Sequence, residues 1–186
     1  AVLITAPALG LLFSSCESVN ISTRQRPVIH ETYQAVDHLI SQGSVDCICS
    51  EDGVTPGDRI LVGTLVDIND VDTSSMFGRQ ISEFVAARLA QNGHRVVQTT
   101  LRDGSVVIRE DGQFLLSRDT ANLSVDYNAK AVVVGTYGVT DQSIFVSLRT
   151  VCTIDNSLLG ATDFILPLND QVLFMLETQS GGTSTW

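Results

Sequence analysis

The chain has 186 residues, 44% of them apolar, and a formal charge of −10. That apolar content suits one folded domain with a real core and excludes a disordered chain. So acidic a chain, with Lys130 its sole lysine, also excludes one that holds nucleic acid or an anionic membrane by charge.

Residues 1–13 are apolar and uncharged, too few to span a bilayer as a helix. They lead into Leu11-Leu12-Phe13-Ser14-Ser15-Cys16, the layout of a bacterial lipobox, in which small residues precede a cysteine that is acylated. The same residues also read as a buried strand with a core cysteine. On the first reading, 1–15 is a lipoprotein signal peptide, 16–27 a polar tether, 28–168 the folded domain and 169–186 a short helix with a loose tail. An acyl anchor at Cys16 would hold firmly, since each buried methylene contributes about 0.8 kcal/mol.

The first helix is expected over 28–41, with Val28, Tyr33, Val36, Leu39 and Ile40 as its apolar stripe and Pro27 beside its first turn. Cys47 and Cys49 follow in a loop. With Cys16 acylated, Cys47, Cys49 and Cys152 leave two readings open: one disulfide with an odd thiol, or three reduced, half-buried cysteines. The spacing of these thiols does not fit zinc.

The run 59–66 is expected as one buried strand. An acidic turn, Asp67-Ile-Asn-Asp-Val-Asp72, leads to Thr73, Ser74 and Ser75, all good helix caps. Phe77, Ile81, Phe84, Val85 and Leu89 then recur three to four apart, as one buried face of a helix that Asn92-Gly93 ends. Residues 95–100 make the next strand, and a strand–helix–strand unit of this length implies parallel pairing with the helix on the sheet.

Asp111-Gly112 between two β-prone runs predicts a hairpin, and a short helix is expected from Ser117 towards Tyr127. The apolar run 131–139 predicts a buried strand. Ile144, Val146, Leu148, Cys152 and Ile154 alternate as a strand with one buried face, and 158–166 closes an antiparallel meander as its candidate edge. Arg149 falls on the opposite face, solvated or paired to a helix acid.

No catalytic constellation is visible, so no catalytic residue, metal or cofactor is expected. His30-Glu31 begins like a zinc-protease helix, but Gln34 stands where the second histidine belongs. Gly135-Thr-Tyr-Gly138 matches the loop of an RNA-binding KH module, yet it sits in an apolar strand without basic neighbours. Asp67, Asn69, Asp70 and Asp72 are dense in oxygen, but a calcium loop starting at Asp67 would need a glycine where Asp72 stands.

Four stretches, taken in order, resemble the FlgO family. They are Val66-Asp-Ile-Asn-Asp-Val-Asp-Thr-Ser-Ser-Met-Phe-Gly-Arg79, Gly93-His-Arg-Val-Val97, Arg109-Glu-Asp-Gly-Gln-Phe-Leu-Leu-Ser-Arg-Asp119, and Gly135-Thr-Tyr137 with Val146-Ser-Leu-Arg149. The positions that carry it are Gly78, Arg79, Ser117, Arg118, Asp119, Gly135, Thr136, Tyr137 and Arg149. The resemblance implies a lipid-anchored, periplasm-facing outer-membrane lipoprotein of a Gram-negative bacterium that supports flagellar motility. It also implies an α/β (α+β) fold like the TolB N-terminal domain, a single mixed sheet of about five to six strands with helices packed on it. The partners implied are flagellar or other envelope proteins, with a homo-oligomer among the options and no nucleic acid. The alternative reading is an envelope lipoprotein of TolB or penicillin-binding-protein-activator type with no flagellar role.

Overall fold

The computed structural model describes residues 27–42, 54–70, 74–98, 106–108, 114–116 and 126–177. In chain order these form α1 (Val28–Gln42), β1 (Arg59–Val62), β2 (Val66–Asp67), α2 (Met76–Gln91), β3 (Arg95–Gln98), β4 (Val106–Ile108), β5 (Phe114–Leu116), β6 (Ala131–Val139), β7 (Ser143–Cys152), β8 (Leu158–Pro167) and α3 (Asp170–Glu177).

β6 is apolar because it has a strand on either side and its first seven residues are buried. On one side β1 and then β2 pair with it in parallel, Ile60 opposite Ala131 and Val66 opposite Thr136. On the other side β7 pairs antiparallel along its whole length, from Ala131 opposite Cys152 to Val139 opposite Ile144. β3 joins β1 in parallel and β8 joins β7 antiparallel, giving a six-stranded mixed sheet with β3 and β8 at its edges. The parallel β1–β3 pair joined through α2 is the expected crossover unit. β4 and β5 form the expected antiparallel hairpin, Val106 opposite Leu116, but as a separate two-stranded sheet. Its Asp111-Gly112 turn and most of the short helix expected after Ser117 lie outside the described residues.

The helices share one core with one face of the sheet. Val36, Leu39, Phe77, Ile81, Val85, Leu89 and Val172 meet Ile60, Val62, Val133, Tyr137, Ile144, Val146, Leu148 and Leu166. Alternate strand residues Leu61, Val132, Val134 and Val151 form a second buried cluster with Ala129, as the two-fold alternation of a strand requires. Ser75 caps α2 with an extended backbone, and its hydroxyl accepts from Gly78 N at 3.0 Å. Gly93 lets the chain leave α2 at a φ of +89°, where a side chain would be strained. Asn169 caps α3 by accepting from Val172 N at 3.0 Å.

Several expectations need correction. α1 runs one residue further than expected, and its buried stripe is Thr32, Ala35, Val36 and Leu39. Thr32 tolerates burial because its hydroxyl donates to Val28 O at 2.9 Å. Phe84 is half-buried at the margin of the core rather than inside it. Ile154 does not continue the buried face of β7. The strand ends at Cys152, and Ile154 sits 66% exposed in the turn that Asn156 closes with a φ of +57°. The run 59–66 is two strands, broken after Val62.

Candidate functional site

Leu65 explains that break. Ser82 Oγ accepts from Leu65 N, and Ser74 Oγ donates to Leu65 O, both at 2.9 Å. Two side chains of the α2 region thus take backbone groups that a continuous strand would have given to its neighbour. The Leu65 side chain, 1% exposed, lies on Gly135. A Cβ at Gly135 would come within 2.9 Å of Leu65 Cγ and 2.7 Å of Ser147 O. Gly78 makes matching room on α2, where a Cβ would collide with Leu65 O and come within 3.1 Å of Tyr137 Cε1. Phe77 meets Tyr137 edge to face, centroids 5.2 Å apart, and burial pushes the Tyr137 hydroxyl pKa up. Arg79 Nη1 closes the knot by donating to Ser74 O at 3.0 Å.

Gly78, Arg79, Gly135 and Tyr137 therefore come together from two distant parts of the chain, and what they share is close packing rather than reactive chemistry. Thr136 is buried beside them, opposite Val66 and Ser147 in the sheet. Arg149 lies apart. It bonds Asp163 Oδ1 on β8 at 2.9 Å and Thr162 O at 3.2 Å, where the sequence left open a solvated side chain or a helix acid as partner. Ser117, Arg118, Asp119, Cys16, Cys47 and Cys49 lie outside the described residues. Cys152 is fully buried and disulfide-bonded.

Two ion pairs tie elements together. Arg88 grips Asp37 with two prongs, Nε to Oδ1 at 2.8 Å and Nη2 to Oδ2 at 2.7 Å, and lies over the Tyr33 ring at 5.3 Å. The Arg88 hydrogen bond holds the Asp37 carboxyl below its ordinary pKa. Asp58 accepts from Thr55 N, Thr55 Oγ1 and Lys130 Nζ at 2.8, 2.9 and 3.0 Å. Burial works to raise this carboxyl, but those bonds prevail and hold it low.

His94 is 6% exposed and its Nδ1 has no hydrogen-bond partner. Burial lowers its pKa, against smaller upward pulls from Asp58 and the Thr55 backbone. The unfolded chain binds a proton at the ordinary value of 6.5, whereas the folded chain resists until lower pH. Stability from neutral His94 is therefore present above that value and lost as pH falls below it. Urea melts at about pH 7.5 and about pH 5.5 should show acid weakening that His94→Gln reduces. An unchanged pH difference in the variant would assign the loss to other groups.

The hollow beside His94 has a volume of about 20 Å³, room for about one water and no organic ligand. A larger hollow of about 280 Å³ lies between Val28, Phe84 and Met175, and none of the described residues that line it is titratable. Asp67 Oδ1 is occupied by Asn69 N and Nδ2 at 2.8 and 3.2 Å, an Asx-type turn. Among the described residues no cluster of three His, Cys, Asp or Glu has metal-binding geometry, and no helix is long and apolar enough to cross a membrane.

Comparison with solved structures gives the fold a relative. The C-terminal domain of LpoB from Escherichia coli matches with a TM-score of 0.50 at 11% identity, covering 74% of this chain and 96% of that one. The NMR structure of E. coli LpoB matches at 0.48 and 13% identity, covering 90% and 84% respectively. Lipoprotein GNA1162 from Neisseria meningitidis matches at 0.41 and 18% identity, covering 64% and 90%. Identities this low speak to fold alone. No curated protein matches the chain in sequence. A family model described as FlgO protein matches residues 33–171, nearly the whole span from α1 to α3, and the chain belongs to the FlgO family.

Proposed function

We propose that the chain is a non-enzymatic lipoprotein of the Gram-negative envelope, acylated at Cys16 and facing the periplasm from the outer membrane. In this reading residues 1–15 are its signal peptide and 16–27 its tether, and it supports flagellar motility or basal-body assembly by binding other proteins. Family membership over residues 33–171 carries the reading. The disulfide at Cys152 agrees with it, because such bonds persist in oxidising compartments such as the periplasm. Its partner in this reading is Cys47 or Cys49, since the buried cluster that holds Cys152 is packed by Val54, a few residues after them in the chain. Lipidation confines the domain to a surface and raises its effective concentration, so modest protein contacts suffice for assembly.

The fold shared with the LpoB C-terminal domain favours a second reading, an envelope lipoprotein that binds another periplasmic protein with no flagellar role. Deletion of the gene in a flagellated host separates the two. The deletion strain should swim less while making normal amounts of flagellin, and Cys16→Ser should behave like the deletion and release the protein from the membrane fraction. Normal swimming would leave the second reading standing. An unmodified Cys16 in the mature protein by mass spectrometry would remove the anchor from both.

A further inference from the structure

The sheet face turned away from the helices carries an apolar row near one end. Gly138 on β6 lies opposite Phe145 on β7, and Phe145 lies opposite Ile165 on β8. Ile68 extends the row past β2, its N–H donating to Tyr137 O at 2.9 Å. Its Cγ2 would lie 3.3 Å from a Cβ placed on Gly138. Ile68, Phe145 and Ile165 are 55%, 50% and 57% exposed, whereas the neighbours Ile144, Val146 and Leu166 are fully buried on the helix side. Glycine at the centre leaves a shallow channel between flanking apolar side chains. Four adjacent strand positions at the usual spacing make the row about 14 Å long.

Carboxylates bracket this channel. Asp141 is exposed in the turn that joins β6 to β7, just beyond the row. Asp163, its side chain 64% exposed, lies in the next row inward, beyond Ser147. Arg149, the cation of this face nearest the row among the described residues, is only 18% exposed and is bonded to Asp163, while Arg59 and Arg95 stand at the far end of the face, beside the start of β6. A second copy would bring the same carboxylates against each other, and an anionic lipid surface would meet the same repulsion. An exposed apolar strip whose flanking exposed charges are carboxylates fits a partner of the opposite sign.

We propose that Ile68, Phe145 and Ile165 dock a segment of another protein in which Lys or Arg alternates with apolar side chains. The apolar side chains lie in the channel over Gly138, and the cations reach Asp141 and Asp163. This rests on the partner-binding reading above and names the surface and chemistry that reading leaves open.

The test is photo-cross-linking in cells of the host, with benzoyl-phenylalanine in place of Phe145 in the full-length chain. The same substitution at Ile154, exposed at the opposite end of the β7–β8 hairpin, is the control. Position 145 should give a protein adduct whose cross-linked peptide carries Lys or Arg among apolar residues, and position 154 should not. Asp141→Lys, a surface change in a turn, should lower the adduct yield about tenfold, the effect of losing about 1.4 kcal/mol of binding, without changing protein level. An adduct with a second copy of this chain or with lipid would overturn the proposal, as would an acidic partner peptide, no adduct, or a yield indifferent to Asp141→Lys. No adduct at position 145 alongside a deletion strain that swims poorly would sink this surface and leave the motility reading intact.

Discussion

Gly78→Ala should destabilise the protein by about 3 kcal/mol, the upper end of what overpacking costs. Helix propensity alone gives the opposite sign, because alanine in place of glycine inside a helix is favourable by about 1 kcal/mol. Packing wins here because the new methyl group would collide with the backbone carbonyl of Leu65. That carbonyl is held by Ser74 Oγ at 2.9 Å, and the Leu65 N–H by Ser82 Oγ at the same distance, so it has little freedom to retreat. Gly138→Ala is the control. Its methyl group would meet only Ile68 Cγ2, at 3.3 Å, on a half-exposed side chain that can swing into solvent. That change should cost less than about 1 kcal/mol. Denaturant midpoints at constant slope measure both. A neutral or stabilising Gly78→Ala would mean that α2 does not rest on Leu65 as described.

Ile81→Ala should cost about 2–5 kcal/mol, and Ile81→Val about 0.5–1.5 kcal/mol. Ile81 is fully buried in the cluster that joins α2 to the sheet. Truncation loses burial and leaves a cavity that the rigid sheet cannot close. Phe84 is the larger side chain, yet Phe84→Ala should cost less, because Phe84 sits at the edge of that cluster. A loss below about 0.5 kcal/mol for Ile81→Ala in the same melts would place the wrong face of α2 inward.

These two residues mark what the sequence does and does not reveal. Ile81 was legible because helix burial follows a local period, and so were β6 as a continuous apolar run and Ile144, Val146 and Leu148 as alternation. The break at Leu65 was not, because Ser74 and Ser82 read locally as a cap and a neutral helix residue. Their competition for the Leu65 backbone exists only once α2 has crossed the sheet. Ile154 misled because its period matches β7, while it already belongs to the turn built on Asp155 and Asn156. The Arg149–Asp163 pair depends on the β7–β8 register, which places Arg149 opposite Ala161 and near Asp163. The row of Ile68, Phe145 and Ile165 was hidden for the same reason, since Phe145 and Ile165 are ordinary strand residues and Ile68 an ordinary turn residue until the strands are aligned.

α1 is first in the chain yet rests on β8, the last strand. His38 Nδ1 lies 3.4 Å from Thr162 Oγ1, and Gln42 Oε1 accepts from Ala161 N at 3.3 Å. A chain synthesised from its N-terminus delivers α1 long before its resting place exists. The β6–β7–β8 meander can close through neighbouring hairpins, but α1 must wait for it, and closing so long a loop is what slows folding. During that wait the stripe of Ala35, Val36 and Leu39 is open to water, so this helix is the segment a chaperone would need to shield. A chain cut short before β8 would leave α1 with little to rest on but α2, even with every strand up to β7 complete.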